Sequence, residues 1–207
     1  MTRPDWEHLK TYTMNRLAKE LPPNLEYHGL HHTHDVLDAA ERLGSLANLD
    51  ADDAFLLKTA ALYHDFGFIV QSAEHEQVSA ELASRILPDF DFTEEQITRV
   101  QGMIMATRLP QTPHNFLEEL ICDADLDSIG REDFIITSHN LLRELRARGA
   151  VIHMKQWYET QLRFLSGQTF WTRVAKDLRD DGKRRNIEDL QRRIQALGDS
   201  IVWEIPD

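Results

Sequence analysis

The chain is short of cysteine, of basic residues and of long apolar runs, and each shortage removes a class of protein. Cys122 is its single cysteine, so no disulfide framework can form within the 207 residues, and a reducing compartment is the expected setting. Lys and Arg number 23 against 35 Asp and Glu, a formal net charge of −12. Such a balance is poorly suited to nucleic-acid backbones or anionic membrane surfaces, both of which need basic surface. No apolar run approaches the roughly 18–20 residues of a membrane span. The start, Met-Thr-Arg-Pro-Asp-Trp-Glu, has no apolar signal core. A cytoplasmic location is therefore expected. No stretch alternates polar and apolar residues with period two, and neither an internal repeat nor a low-complexity linker interrupts the chain.

What is present reads as helix. Hydrophobic residues make up 42% and charged residues 28%, the proportions of an ordinary globular protein. The length suits one domain with a sizeable core. Helical spacing of apolar residues predicts helices over 5–20, 31–47, 50–65, 72–87, 93–107, 115–125, 131–148, 152–165, 168–179 and 184–197. Their boundaries carry recognisable signals. Pro22-Pro23 stops the first helix, and Asn24 is placed to cap the next. Asp50, Asp52 and Asp53 favour a helix start, Thr93 with Gln96 resembles a capping box, and Gly149 closes the helix before it. The expectation is a single all-α domain over 1–207, with a core of about 24–130 on which helices from 131–200 pack.

Three segments carry the chemistry. Five of the ten histidines, His28, His31, His32, His34 and His64, fall in two short stretches. His28 and His32 are four apart and would share a helix face. His31 and His34 cannot both join them, because helical neighbours diverge by about 100°. In the second segment, an apolar run from Ala60 to Tyr63 leads into His64-Asp65. A carboxylate at the negative end of a helix is disfavoured unless a partner such as a metal cation compensates it. The third segment, Asp123-Ala124-Asp125-Leu126-Asp127, spaces three carboxylates at alternate positions. Imidazole and carboxylate without thiolate suit Mn, Fe, Co, Ni or Zn, with Mg at an oxygen-rich second position. A centre with open positions acidifies bound water enough to attack phosphorus near neutral pH.

A His, a later His-Asp pair and a distal Asp, all on helices, resemble the HD superfamily of metal-dependent phosphohydrolases, the likeness running from about Tyr27 to Asp125. The resemblance implies that His32, His64, Asp65 and Asp125 hold one metal, and that in binuclear members the counterpart of Asp65 bridges to a second ion. Asp123 competes with Asp125 for the last position, and Asp127 is read as a cap for the following helix. Tyr27-His28 followed by His32 is similar to the signature of cyclic-nucleotide phosphodiesterases in this superfamily. That likeness makes His28 the candidate general acid, with a capping or supporting role as the rival. The chain lacks the Gly-Tyr-Pro signature of cyclic-dinucleotide phosphodiesterases. It also lacks their paired second-site histidines, although His75 and Glu76 could bind a water or a further ion.

Arg108 is a candidate for a substrate phosphate, and so is Lys183, should it fold back from the basic C-terminal segment. The remaining basic residues there, interleaved with acids, read as a solvated helix face. The implied function is hydrolysis of a small-molecule phosphate ester, a nucleotide or a nucleotide-derived signal, by metal-activated water, with Asp65 orienting the nucleophile and His28 protonating the leaving group. The rivals are a di-iron oxygenase of the same fold and a non-catalytic metal- or nucleotide-binding module. Sequence does not settle the oligomeric state, a homodimer being one option.

Overall fold

A computed structural model describes residues 4–198; the outermost positions of the expected domain, 1–3 and 199–207, lie outside the described residues. Nine α-helices follow one another, with no strand among the described residues: α1 Trp6–Glu20, α2 Leu30–Leu46, α3 Ala51–Tyr63, α4 His75–Ile86, α5 Glu94–Ala106, α6 Phe116–Asp125, α7 Phe134–Ala147, α8 Met154–Gly167 and α9 Arg173–Gly198. Short 3-10 turns at Phe66–Ile69, Leu87–Phe90 and Asp127–Gly130 join some of them. The fold is all-α.

The start signals act as their chemistry requires. The Asp50 carboxylate accepts from Asp52 N and Asp53 N, and Asn115 accepts from Glu118 N. Thr93 and Gln96 form a reciprocal capping box, and Gly149 takes a φ of 92° after α7. The expected cap at Asn24 does not form, because α2 begins only at Leu30, with Gly29 before it.

The centre is built from α2, α3, α5 and α6, which pack on one another. Leu37, Leu43, Leu56, Leu57, Leu62, Tyr63 and Ile104 are essentially sealed from solvent. From Phe55 to Tyr63, α3 is buried at every position but Lys58, as a helix packed among others must be. Its last turn pushes His64 and Asp65 out of the core at a fixed height. Tyr63 anchors that turn through a 3.0 Å hydrogen bond between its hydroxyl and Thr13 of α1.

The last helix differs from expectation. Instead of two helices, 168–179 and 184–197, one runs unbroken from Arg173 to Gly198. Gly182 lies inside it: glycine weakens a helix interior by about 1 kcal/mol, but here it permits a backbone crossing. A Cβ on Gly182 would lie 1.9 Å from the Gly130 carbonyl oxygen, and one on Gly130 would lie 2.6 Å from Arg179 Cβ. Two glycines thus let α9 press directly on the 3-10 turn that follows α6. The charges on α9 pair along its surface, Arg173 with Asp177, Arg184 with Asp181 and Arg193 with Asp189, matching the solvated-face reading.

Candidate metal centre

Four side chains from three elements meet at the C-terminal ends of α3 and α6. His32 comes from the first turns of α2, His64 and Asp65 follow α3, and Asp125 ends α6. His32 Nε2 lies 3.3 Å from His64 Nε2, 3.2 Å from Asp125 Oδ1 and 3.5 Å from Asp65 Oδ2. His64 Nε2 lies 3.4 Å from Asp65 Oδ2 and 3.5 Å from Asp125 Oδ1. His32, His64 and Asp125 thus bring one ligand atom each within 4.8 Å of the others, and Asp65 Oδ2 adds a carboxylate oxygen beside both imidazoles, a donor set of the kind that binds transition-metal cations.

Two further observations favour a cation. Asp65 Oδ2 is buried and has no hydrogen-bond partner among the described residues, a costly state for a carboxylate oxygen. His64 Nδ1 lies 2.8 Å from the Ala61 carbonyl oxygen. A carbonyl only accepts, so Nδ1 carries a hydrogen and the Nε2 lone pair faces the other donors, the usual tautomer of a metal-bound imidazole. His32, His64 and Asp125 could hold a metal ion, and the orphaned oxygen of Asp65 points at the same place.

The charges of the cluster also shift one another's ionisation. Burial opposes charge on His64, but Asp65 and Asp125 outweigh it and raise its pKa to about 9. Burial likewise opposes ionisation of Asp65, yet His64, His75 and His28 hold its carboxyl well below the usual range. Metal binding at such a site displaces protons.

A glycine shapes this end too. Gly67, in the turn after Asp65, sits against α4: a Cβ there would lie 2.2 Å from the His75 carbonyl oxygen. Its N–H donates to Ser79 Oγ at 2.7 Å. The close approach delivers His75, whose Nε2 lies 3.1 Å from Asp65 Oδ1 and whose Nδ1 lies 3.2 Å from the Ser72 carbonyl. With an acceptor at each ring nitrogen, the His75 pKa is raised, burial being outweighed by the bond to Asp65. His75 thereby holds one oxygen of Asp65 and leaves the other toward His32 and His64.

His28 does not sit where helical spacing placed it. It precedes α2, so no shared helix face aligns it with His32. Instead Glu144 of α7, fully buried, takes hold of the segment. Its carboxylate accepts from Tyr27 N at 2.9 Å and His28 N at 3.0 Å, and lies 2.7 Å from His28 Nδ1. Arg148 donates to the same carboxylate at 3.0 Å. Burial alone would raise the Glu144 pKa, but the hydrogen bonds and charge of His28 and the backbone amides lower it to about 2. The Phe68 ring packs against both His28 and His75, with centroids 4.4 and 4.2 Å away. Sequence reasoning missed both residues. Glu144 lies more than a hundred positions from its partners, and Phe68 carries no polar signal at all.

The other nominated residues are placed as follows. His31 and His34 are exposed. Asp123 turns away from the centre and accepts from Trp171 N, Thr172 N and Thr172 Oγ1 at 2.6–2.8 Å, fastening the start of α9. Asp127 is not a helix cap: it is buried between Arg42 and Arg179, with contacts of 2.7–2.9 Å. Cys122 is buried and its thiol donates to the Ala106 carbonyl. Arg108 is exposed and faces Glu74 at 3.5 Å. The Lys183 ammonium donates to the Gln168 carbonyl, and burial lowers its pKa.

The donors open on a cavity of about 350 Å³. His28, His32, Asp65, His75, Glu76 and Asp125 line one end, and side chains of α7 and α8 line the other. Neither Arg108 nor Lys183 is part of its wall.

Residues 29–129, which hold all four donors, match the HD domain family. This is an HD-domain protein. No curated protein is significantly similar to the chain in sequence. Among solved structures, the HD-domain protein resembles a predicted HD superfamily hydrolase from an uncultured Thermotogales bacterium, at 23% identity, 94% coverage of each chain and a TM-score of 0.63. It also resembles Bacillus subtilis YpgQ, at 21% identity, 95% coverage of each chain and a TM-score of 0.63. YpgQ in complex with ADP aligns at 20% identity over 94% of this chain and 98% of that one, with a TM-score of 0.60. The likeness extends through α7–α9, well beyond the matched domain, so the C-terminal helices belong to the shared fold. No helix among the described residues is long and apolar enough to cross a membrane.

Proposed function

We propose that this HD-domain protein is a metal-dependent phosphohydrolase cleaving a small phosphate ester, a nucleotide or a nucleotide-derived signal. The observation that carries the reading is the buried, unpartnered oxygen of Asp65, set among His32, His64 and Asp125 at one end of a ligand-sized cavity. A divalent ion held by these residues would supply Lewis-acid chemistry, acidifying a bound water and polarising a phosphoryl oxygen. The names of the structural relatives support the reading: one is called a predicted HD superfamily hydrolase, and another was crystallised with ADP.

The chain's own residues divide the remaining work. Asp65 is steadied by His75 and can orient the attacking water. His28 has Nδ1 committed to Glu144, so Nε2 is the nitrogen left to protonate the leaving oxygen. Glu144 stays ionised and fixes the ring in that orientation, while Phe68 packs against its face. Metal analysis of purified protein, coupled to a panel of nucleotides and phosphomonoesters, tests the proposal. The expected result is a bound divalent ion and hydrolysis, both lost in Asp65→Ala. Retention of both in that variant would sink the reading.

One contact favours a second reading. The two oxygens of Asp65 face different partners, Oδ2 the His32–His64 pair and Oδ1 His75, with Glu76 alongside in the cavity wall. That arrangement suits a carboxylate shared by two ions, as a di-iron oxidase needs. Anaerobic iron loading separates the two: one iron per chain argues against it.

A further inference from the structure

Gln161 stands on the buried stripe of α8, four residues after Trp157 and four before Leu165. An amide at such a position normally finds a partner within the protein. This one does not. Gln161 is 7% exposed, its side chain makes no hydrogen bond to any described residue, and it lines the same cavity as the metal centre. Its polar neighbours in that wall are all engaged. Ser138 Oγ accepts from Trp157 Nε1 at 3.0 Å, Thr137 donates to the Phe134 carbonyl at 2.8 Å, and Thr160 donates to the Gln156 carbonyl at 2.9 Å.

The surroundings restrict what could satisfy the amide. Phe134, Leu141, Leu145, Trp157 and Phe164 make up the apolar part of this end, and neither Lys nor Arg lines the cavity anywhere. A charged group placed there would have no countercharge, so the occupant is neutral and largely apolar. A carboxamide offers an acceptor and two donors side by side, the complement of a planar edge that presents a donor beside an acceptor.

We propose that the α7–α8 end of the cavity is a subsite for a neutral heteroaromatic group of the nucleobase kind, and that Gln161 reads its donor–acceptor edge. This deepens the phosphohydrolase reading, on which the subsite's role in holding the ester's organic part rests. The binding itself requires neither metal nor phosphate.

That independence sets the experiment. Adenosine, guanosine, cytidine and uridine are each titrated calorimetrically into the full chain and into Gln161→Met, which keeps the length of the side chain and removes the amide. At least one nucleoside is expected to bind, with affinity falling at least about tenfold in the variant. The thermal midpoint of the variant is expected to hold, since the amide makes no hydrogen bond within the protein and faces the cavity. Absence of nucleoside binding, equal affinity in both proteins, or a lower midpoint would each overturn the assignment. A chain that binds a nucleoside through Gln161 but cleaves no phosphate ester would keep the subsite and reject the phosphohydrolase reading; the reverse result would do the opposite.

Discussion

At one end of the cavity the polar groups are charged or chargeable and grip one another: His75 on Asp65, Glu144 on His28, and two imidazoles and two carboxylates around a common centre. At the other end they are neutral, each bonded to its own backbone or to one neighbour, apart from Gln161. The first end is suited to hold a cation and move protons, the second to exclude water around an uncharged group. They also differ in origin. The first comes mostly from the compact segment between α2 and α6, whereas the second comes from α7 and α8. Glu144 is where the halves interlock, a residue of α7 serving a histidine that precedes α2.

The largest expected effect falls on the charged end. Replacing Asp65 or His64 by alanine removes a member of the donor set, and hydrolysis should fall at least about 1,000-fold. Metal content, measured by elemental analysis, should drop below one ion per chain. Nothing comparable is expected from any single substitution in the apolar wall, and a mutation there that stripped the metal would break the distinction.

Next in size are the two backbone crossings. Gly67→Ala would set a methyl 2.2 Å from the His75 carbonyl oxygen, and Gly182→Ala would set one 1.9 Å from the Gly130 carbonyl oxygen. Neither backbone can yield cheaply, and each variant should lose about 3 kcal/mol of stability. The consequences should then part. Gly67→Ala drives α4 from the turn carrying Asp65 and should lower metal affinity as well. Gly182→Ala disturbs only the seating of α9, so metal content of the folded protein should remain that of the parent. Denaturant melts with parallel metal analysis distinguish them.

These glycines show what was legible in the sequence. The ends of most helices could be read because caps are local: Asp50, Thr93, Asn115 and Gly149 each act within a few residues of themselves. The grouping of His32, His64 and Asp125 could be read because the residue types and their order are chemically restrictive and match a known family pattern. Glu144 and Gln161 look like any acid or amide on a helix until the fold shows what lies opposite. Gly182 is a similar case: by itself it is a helix-weakening residue among charges, and only the crossing with Gly130 reveals that it is there for closeness.

A smaller effect is expected from Glu144→Gln. The amide keeps the shape but not the charge that holds the His28 segment, so kcat should fall about 10–100-fold, with KM and metal content little changed. A loss of metal would instead make Glu144 a structural support of the centre. The same residue gives the stability a pH dependence. Its carboxyl is depressed to about 2 from an ordinary 4.5, so its contribution is complete above about pH 4.5 and is lost as pH falls toward 2. The shift corresponds to about 3 kcal/mol. The stability obtained from urea melts should therefore fall more steeply between pH 4.5 and 2 for the parent than for Glu144→Gln.

The smallest effects are expected from the two cations that the sequence nominated for phosphate. Arg108 is half exposed and faces Glu74, and Lys183 is turned to the Gln168 carbonyl; neither lines the cavity. A surface pair such as Arg108–Glu74 contributes little to stability. Arg108→Ala and Lys183→Ala should each change KM for a cleaved phosphate ester by less than about twofold, against the roughly tenfold or greater change expected when a charge-assisted hydrogen bond to a phosphate is removed. A tenfold rise in KM for Arg108→Ala would mean that the mouth of the cavity closes over the substrate and brings the guanidinium inward. In that event the charged end of the cavity extends further than the ring of His28, His75 and the four donors.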